Sequence, residues 1–123
     1  MEKKTPKRSQ IAVIGLIGMI MIGILIVRFP RSVDISSSGD YTIALYAIGS
    51  PDWPFGDQDG RIIFRKKYKK ISSFGFRLSN DGKSMDEDNW TVSWGNDKVT
   101  VTIIGEEQRD KTVCFYYDGK TTD

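Results

Sequence analysis

The 123 residues contain no histidine and a single cysteine, Cys114. Without imidazole there is no ready base for a serine or cysteine nucleophile. Serine–histidine and cysteine–histidine catalysis are therefore excluded, as are zinc sites that use histidine. One cysteine permits no internal disulfide. A lipid-modified N-terminus, which requires a cysteine there, is excluded for the same reason. Cys114 lies between Val113 and Phe115 in an apolar run and is expected as a small buried residue. No nucleophile motif is present, so no catalytic residue is assigned, and nothing implies a cofactor. Positive charge is scarce where nucleic acid would need it. The formal charge is +2, but six of the eighteen Lys/Arg lie at or before Arg31. From Ser32 onward twelve Lys/Arg stand against fifteen Asp/Glu, a net of −3. Nucleic acid as a partner has no electrostatic support.

What the chain does have is one long apolar run. The seventeen residues from Ile11 to Val27 are all apolar or glycine. A soluble helix shows an apolar stripe; this one is apolar all round and suits lipid. At ~1.5 Å per residue it covers about 25 Å, slightly less than a hydrocarbon core of ~30 Å. Snorkelling of Arg28 and an interfacial Phe29 make up the difference. Lys3, Lys4, Lys7 and Arg8 precede the run against one acid, Glu2, so the N-terminus is expected in the cytoplasm and the rest outside. The run exceeds the ~7–15 apolar residues of a cleaved signal peptide, and no small-residue cleavage site follows closely, so an uncleaved signal anchor is expected. Gly15, Gly18 and Gly23 form no Gly-x-x-x-Gly pair, so the helix carries no dimerisation signal. The organisation expected is a basic cytoplasmic tail over 1–10, a transmembrane helix over 11–29, a linker over 30–38 and an extracytoplasmic β domain over 39–123. The linker rests on Pro30 and the serines Ser36, Ser37 and Ser38.

From Gly39 about 85 residues remain, enough for one small domain with a modest core. Strands are expected over 41–48, 61–65, 70–79, 90–94, 98–104 and 111–117, punctuated by Gly, Asn and Asp turns. The fold class read from this spacing is all-β: a six-stranded antiparallel meander forming a small sandwich or curved sheet, preceded by one transmembrane helix. The clearest hairpin turns at Asn96-Asp97. That turn sets Trp94 opposite Val99, Val92 opposite Val101 and Trp90 opposite Ile103, with one face apolar and the other all hydroxyl. Moving the turn to Gly95-Asn96 slides the register by two and keeps the faces.

The run Gly49-Ser50-Pro51-Asp52-Trp53-Pro54-Phe55-Gly56, followed by Asn80-Asp81-Gly82, Asn89-Trp90-Thr91-Val92-Ser93-Trp94 and Gly105-Glu106-Glu107-Gln108, resembles a group of small exported or membrane-anchored proteins of Gram-positive bacteria. The layout is also similar to the domain of unknown function DUF5412, with a short N-terminal span and a small β domain. The resemblance covers most of residues 39–119. It implies location and fold and transfers no catalytic residue.

Four features could carry function. In the loop 51–56, prolines stiffen a turn that presents Trp53 and Phe55, so Trp53, Pro54, Phe55 and Asp57 form a candidate partner-binding loop. Trp53 itself is expected to fold back and cap the β core, with the binding surface on the rim beside Asp57 and Asp59. Asp52, Asp57 and Asp59 are weak candidates for a metal, and Asp86, Glu87 and Asp88 form a second acidic cluster. Asp57-Gln58-Asp59-Gly60 begins like a calcium loop, but Arg61 occupies the next ligand position and no glutamate closes the loop, so no metal is assigned. Residues 65–70 hold five positive charges in six residues, suited to headgroups or anionic wall polymers, or simply to protecting a strand edge. Glu106-Glu107 beside Asp110 is a minimal acid pair. The expected function is a membrane-tethered binding or accessory module, held in the bilayer by its helix and meeting a protein or cell-envelope ligand. The alternatives are a small carboxylate-dependent hydrolase and a calcium-binding module.

Overall fold

The structure, a computed structural model, describes residues 11–20, 30–52 and 56–123. Residues 11–20 are helical, and the rest of the expected span, 21–29, lies outside the described residues together with the tail 1–10. Among the described residues no helix is long and apolar enough to cross a membrane.

The remaining chain folds into two antiparallel sheets of four strands. β1 (Pro30–Ser38), β2 (Tyr41–Ile48), β3 (Gln58–Lys66) and β4 (Lys69–Leu78) follow one another across the first sheet. β5 (Trp90–Trp94), β6 (Lys98–Ile103), β7 (Lys111–Tyr116) and the two-residue β8 (Thr121–Thr122) follow one another across the second. The expected six-stranded meander is thus two meanders of four strands. The expected linker 30–38 is β1, paired along its length with β2. Its sequence hides it because it is an edge strand. Pro30 needs no ladder hydrogen bond there, Ser32, Ser37 and Ser38 are exposed with only Ser36 half-buried, and Val33 sits in a bulge between Ser32 and Asp34. The tryptophan hairpin has the register set by an Asn96-Asp97 turn: Trp90 opposite Ile103, Val92 opposite Val101 and Trp94 opposite Val99.

One core joins the two sheets. Ile43, Leu45, Ala47, Ile62, Phe64 and Leu78 come from the first, and Trp90, Val99, Val101, Ile103, Val113 and Phe115 from the second. The alternation of buried and wetter residues along β3, β6 and β7 places these on the inner faces. Phe64 is central: its ring centroid lies 6.1 Å from that of Phe115, 6.4 Å from Trp94 and 5.6 Å from Tyr41. Two indoles fasten β5 over β1. Trp90 Nε1 donates to Asp34 Oδ2 at 2.9 Å, and Trp94 Nε1 donates to Ser36 Oγ at 3.0 Å. Cys114 is half-buried rather than buried; it stands opposite Thr100, on the face away from Val113 and Phe115.

The domain therefore has two ends. At the near end β1 begins at Pro30, and residues 49–57, 79–89 and 104–110 make the connections. At the far end four short turns fall at 39–40, 67–68, 95–97 and 117–120. Residues 79–89 run beneath the core from the edge strand β4 to β5, which lies over β1 at the opposite edge. Met85, 1% exposed, plugs the core from this segment. Gly60 leaves room beneath it: a Cβ there would press on the Phe76 ring and come within 2.7 Å of the Met85 methyl, so those side chains would have to shift.

Candidate functional site

The near end gathers residues 49–52, 80–82, 89–90 and 105–108, while the rest of β5 runs on to the 95–97 turn at the far end. What gathers them is a set of side-chain amides. Gln58, 2% exposed, donates to the Gly49 carbonyl at 2.8 Å and accepts from the Met85 amide at 2.7 Å. Arg31 Nη2 donates to the Met85 carbonyl at 3.3 Å. Asn89 donates to the Ile104 carbonyl at 2.8 Å, and its oxygen accepts from the Asp86 amide at 2.9 Å. Asn80 donates to Asn89 and accepts from the Glu106 amide. Gln108 accepts from the Ser79 amide at 2.7 Å. Backbone groups in long connections need partners once buried, and these amides supply a donor and an acceptor each. Gly105 is required by the same crowding, since a Cβ would strike the Ser79 carbonyl.

The acids expected as weak metal candidates do converge, but on a guanidinium. Arg77 lies 2.9 Å from Asp52 Oδ2, 3.2 Å from Asp59 Oδ1 and 3.9 Å from Asp57 Oδ2. Asp57 Oδ1 also accepts from Ser79 Oγ at 2.7 Å. Among the described residues no group of three or more His, Cys, Asp or Glu is placed to hold a metal ion. Asp52 and Asp57 close the base of the candidate binding loop, with the Asp52 amide donating to the Asp57 carbonyl at 3.0 Å. Trp53, Pro54 and Phe55, and with them the expected cap, lie outside the described residues.

The other acids have separate tasks. Asp86 caps the 3₁₀ turn Glu87–Asn89, accepting from the Asp88 amide at 2.9 Å. Glu106 pairs with Lys83 at 2.7 Å, and this hydrogen bond raises the Lys83 ammonium above its ordinary pKa. Glu107 is raised above the ordinary carboxylate value, first by a hydrogen bond with Asp81 and then by lost hydration and neighbouring acids. The acid pair legible in the sequence is thus split: Glu106 turns to Lys83 and Glu107 to Asp81. A polar cleft of ≈ 300 Å³ opens between Asn80, Lys83, Asp86, Asp88, Ile104 and Glu106. A more open depression of ≈ 350 Å³ lies where Gly75 faces Arg61 across the β3–β4 ladder.

At the far end the basic segment forms the β3–β4 hairpin tip. Lys66 pairs with Lys69 and Arg65 with Lys70. Lys67 has φ 54°, and Tyr68 at the apex is fully exposed. The Lys67 amide donates to the Asp40 carbonyl at 2.7 Å, tying the tip to the β1–β2 turn. The two ends carry opposite charge. Residues 49–59, 79–89 and 104–110 hold ten Asp/Glu and two Lys/Arg, whereas 38–41, 65–70, 95–98 and 117–120 hold seven Lys/Arg and three Asp. Sequence reasoning missed Arg77 and Met85 as organising residues, because each acts through partners far along the chain. Comparison with family models, curated proteins and solved structures finds no match to this chain.

Proposed function

We propose that this protein is a membrane-tethered, extracytoplasmic binding module with its near end at the bilayer. The observation that carries the reading is that β1 begins at Pro30, three residues after the apolar run ends at Val27. Three residues reach about 10 Å at most, so the near end stays beside whatever the run is embedded in. The helix over 11–20 supports lipid as that medium. Ile11, Val13, Ile14, Leu16, Ile17, Met19 and Ile20 are each between 54% and 73% exposed, an arrangement water disfavours by roughly 25 cal/mol per Å². The basic residues Lys3, Lys4, Lys7 and Arg8 put the N-terminus in the cytoplasm. The resemblance in layout to the DUF5412 domain is in keeping with the same arrangement. With Glu107 and Asp81 in water and Arg77 holding the three aspartates, the geometry favours binding over carboxylate hydrolysis or calcium binding.

Protease treatment of intact wall-less cells tests this. The domain from Pro30 onward is removed and the N-terminal tail is protected. Survival of the β domain in intact cells, with the N-terminal tail digested there, reverses the orientation. Release of the whole chain by alkaline carbonate removes the tether.

A further inference from the structure

The far-end hairpin has features that strand-edge protection does not require. Lysines on an edge strand deter pairing wherever they stand along it. Here two like-charged pairs, Lys66–Lys69 and Arg65–Lys70, sit directly opposite each other, which costs stability. Lys67 occupies a left-handed turn position that glycine or asparagine fills more easily. Tyr68 stands wholly in water, burying nothing. Among the described residues none of these five cations joins an ion pair. Lys66 leans over the Tyr41 ring at 5.7 Å, and Lys98 at the start of β6 and Lys120 in the 117–120 turn stand at the same end. The cations face both sides of the hairpin and do not converge on one point. A small anion would meet one or two of them, whereas a chain with repeated charges meets several at once.

We propose that the hairpin tip, residues 65–70 with Tyr68 at its apex, docks a linear polyanion bearing repeated phosphate groups. Lysine is a point-charge ligand for phosphate, and an exposed aromatic adds contact with little entropy lost. A soluble polymer fits better than the protein's own bilayer. The nine residues of β1 separate Pro30 from the far end by about 30 Å, several Debye lengths at physiological salt. This last step rests on the tethered reading above.

The test uses the full chain in nanodiscs of neutral phosphatidylcholine, with long-chain inorganic polyphosphate as the probe. Incorporation into the discs is measured first, so that loss of the tether and loss of docking are separate results. The expected outcome is binding that weakens about tenfold or more between ~50 and ~200 mM salt, through counterion release. Lys67→Gln, Lys69→Gln and Lys70→Gln combined weaken it by a further tenfold or so, and Tyr68→Ser weakens it severalfold at constant charge. The triple variant keeps or raises its melting midpoint, since like-charge contacts are relieved. Polyphosphate binding that ignores salt, or that the triple variant leaves unchanged, overturns the proposal. Aggregation of the triple variant with unchanged affinity assigns the lysines to edge protection instead. Tighter binding to phosphatidylglycerol vesicles than to polyphosphate at equal phosphate assigns the tip to a membrane, and tighter binding to single-stranded DNA assigns it to nucleic acid; either overturns the polymer.

Discussion

The two ends of the β domain solve one problem in two ways. Each must turn the chain between strands without leaving buried backbone groups unpaired. The far end uses short turns, closed by main-chain hydrogen bonds and by positive φ at Gly39, Lys67 and Gly119. Tyr117 and Asp118 still hold turn backbone, but among the described residues the five cations of 65–70 join no ion pair, and the end as a whole carries positive charge. The near end uses long connections, one crossing the full width of the core. There Gln58, Asn80, Asn89 and Gln108 are spent on backbone partners, and the acids are tied to Arg77, Lys83 and the 3₁₀ turn. Short turns leave a surface available for recognition, while long connections consume their polar residues in holding themselves together.

The sharpest way to break the comparison is to remove the core both ends share. Phe64→Ala should cost ~3–5 kcal/mol in urea denaturation of the fragment 30–123, because rings from both sheets lean on Phe64. Met85→Ala, which unplugs only the near end, should cost ~2–4 kcal/mol. Next come the amides: Asn89→Ala strands the Ile104 carbonyl and the Asp86 amide and should cost about 2–3 kcal/mol, read as a lower denaturation midpoint at unchanged slope. Arg77→Ala leaves three half-exposed aspartates facing one another. Screening limits its cost to about 1 kcal/mol, and added salt should shrink it further. The smallest effect at the far end has the opposite sign. Lys67→Gly removes backbone strain and one positive charge, and should stabilise by up to ~1 kcal/mol.

The pH response sharpens the contrast from the near end. Glu107 titrates above its unfolded value, so the folded state holds its proton more tightly. Its contribution is fully present below the unfolded carboxylate pKa and is lost as pH rises through the folded one. Stability should therefore decline slightly over the weakly acidic range just above pH ~4.5, and Glu107→Gln should flatten that decline in thermal melts. A profile unchanged by the substitution would leave the Glu107–Asp81 contact without a role.

Much of the β domain was legible because strand alternation is a local signal. β2 and β5 have the expected bounds, and the Trp90–Ile103 register follows from a two-residue turn between alternating strands. β1 and β8 were not legible. An edge strand can be mostly serine, and a two-residue strand has no period to read. The candidate site divided in the same way. The basic hairpin tip could be located in the chain, since its charges are consecutive. The fate of Asp52, Asp57 and Asp59 could not, because nothing near them in sequence announces Arg77, 18 to 25 positions away.

The sequence by itself determined the apolar helix-forming run, the alternating strands and the charge of each turn, all properties of residues within a few positions of one another. Only the tertiary structure decided which strands share a sheet, that residues 79–89 cross beneath the core with Met85 as its plug, and that three aspartates meet one arginine. The physical reason is that hydrophobic burial is non-directional: it requires apolar faces to meet without saying which. The choice among pairings falls to directional contacts between distant residues, such as Trp90 to Asp34 and Gln58 to Met85, which exist only once the chain has closed on itself.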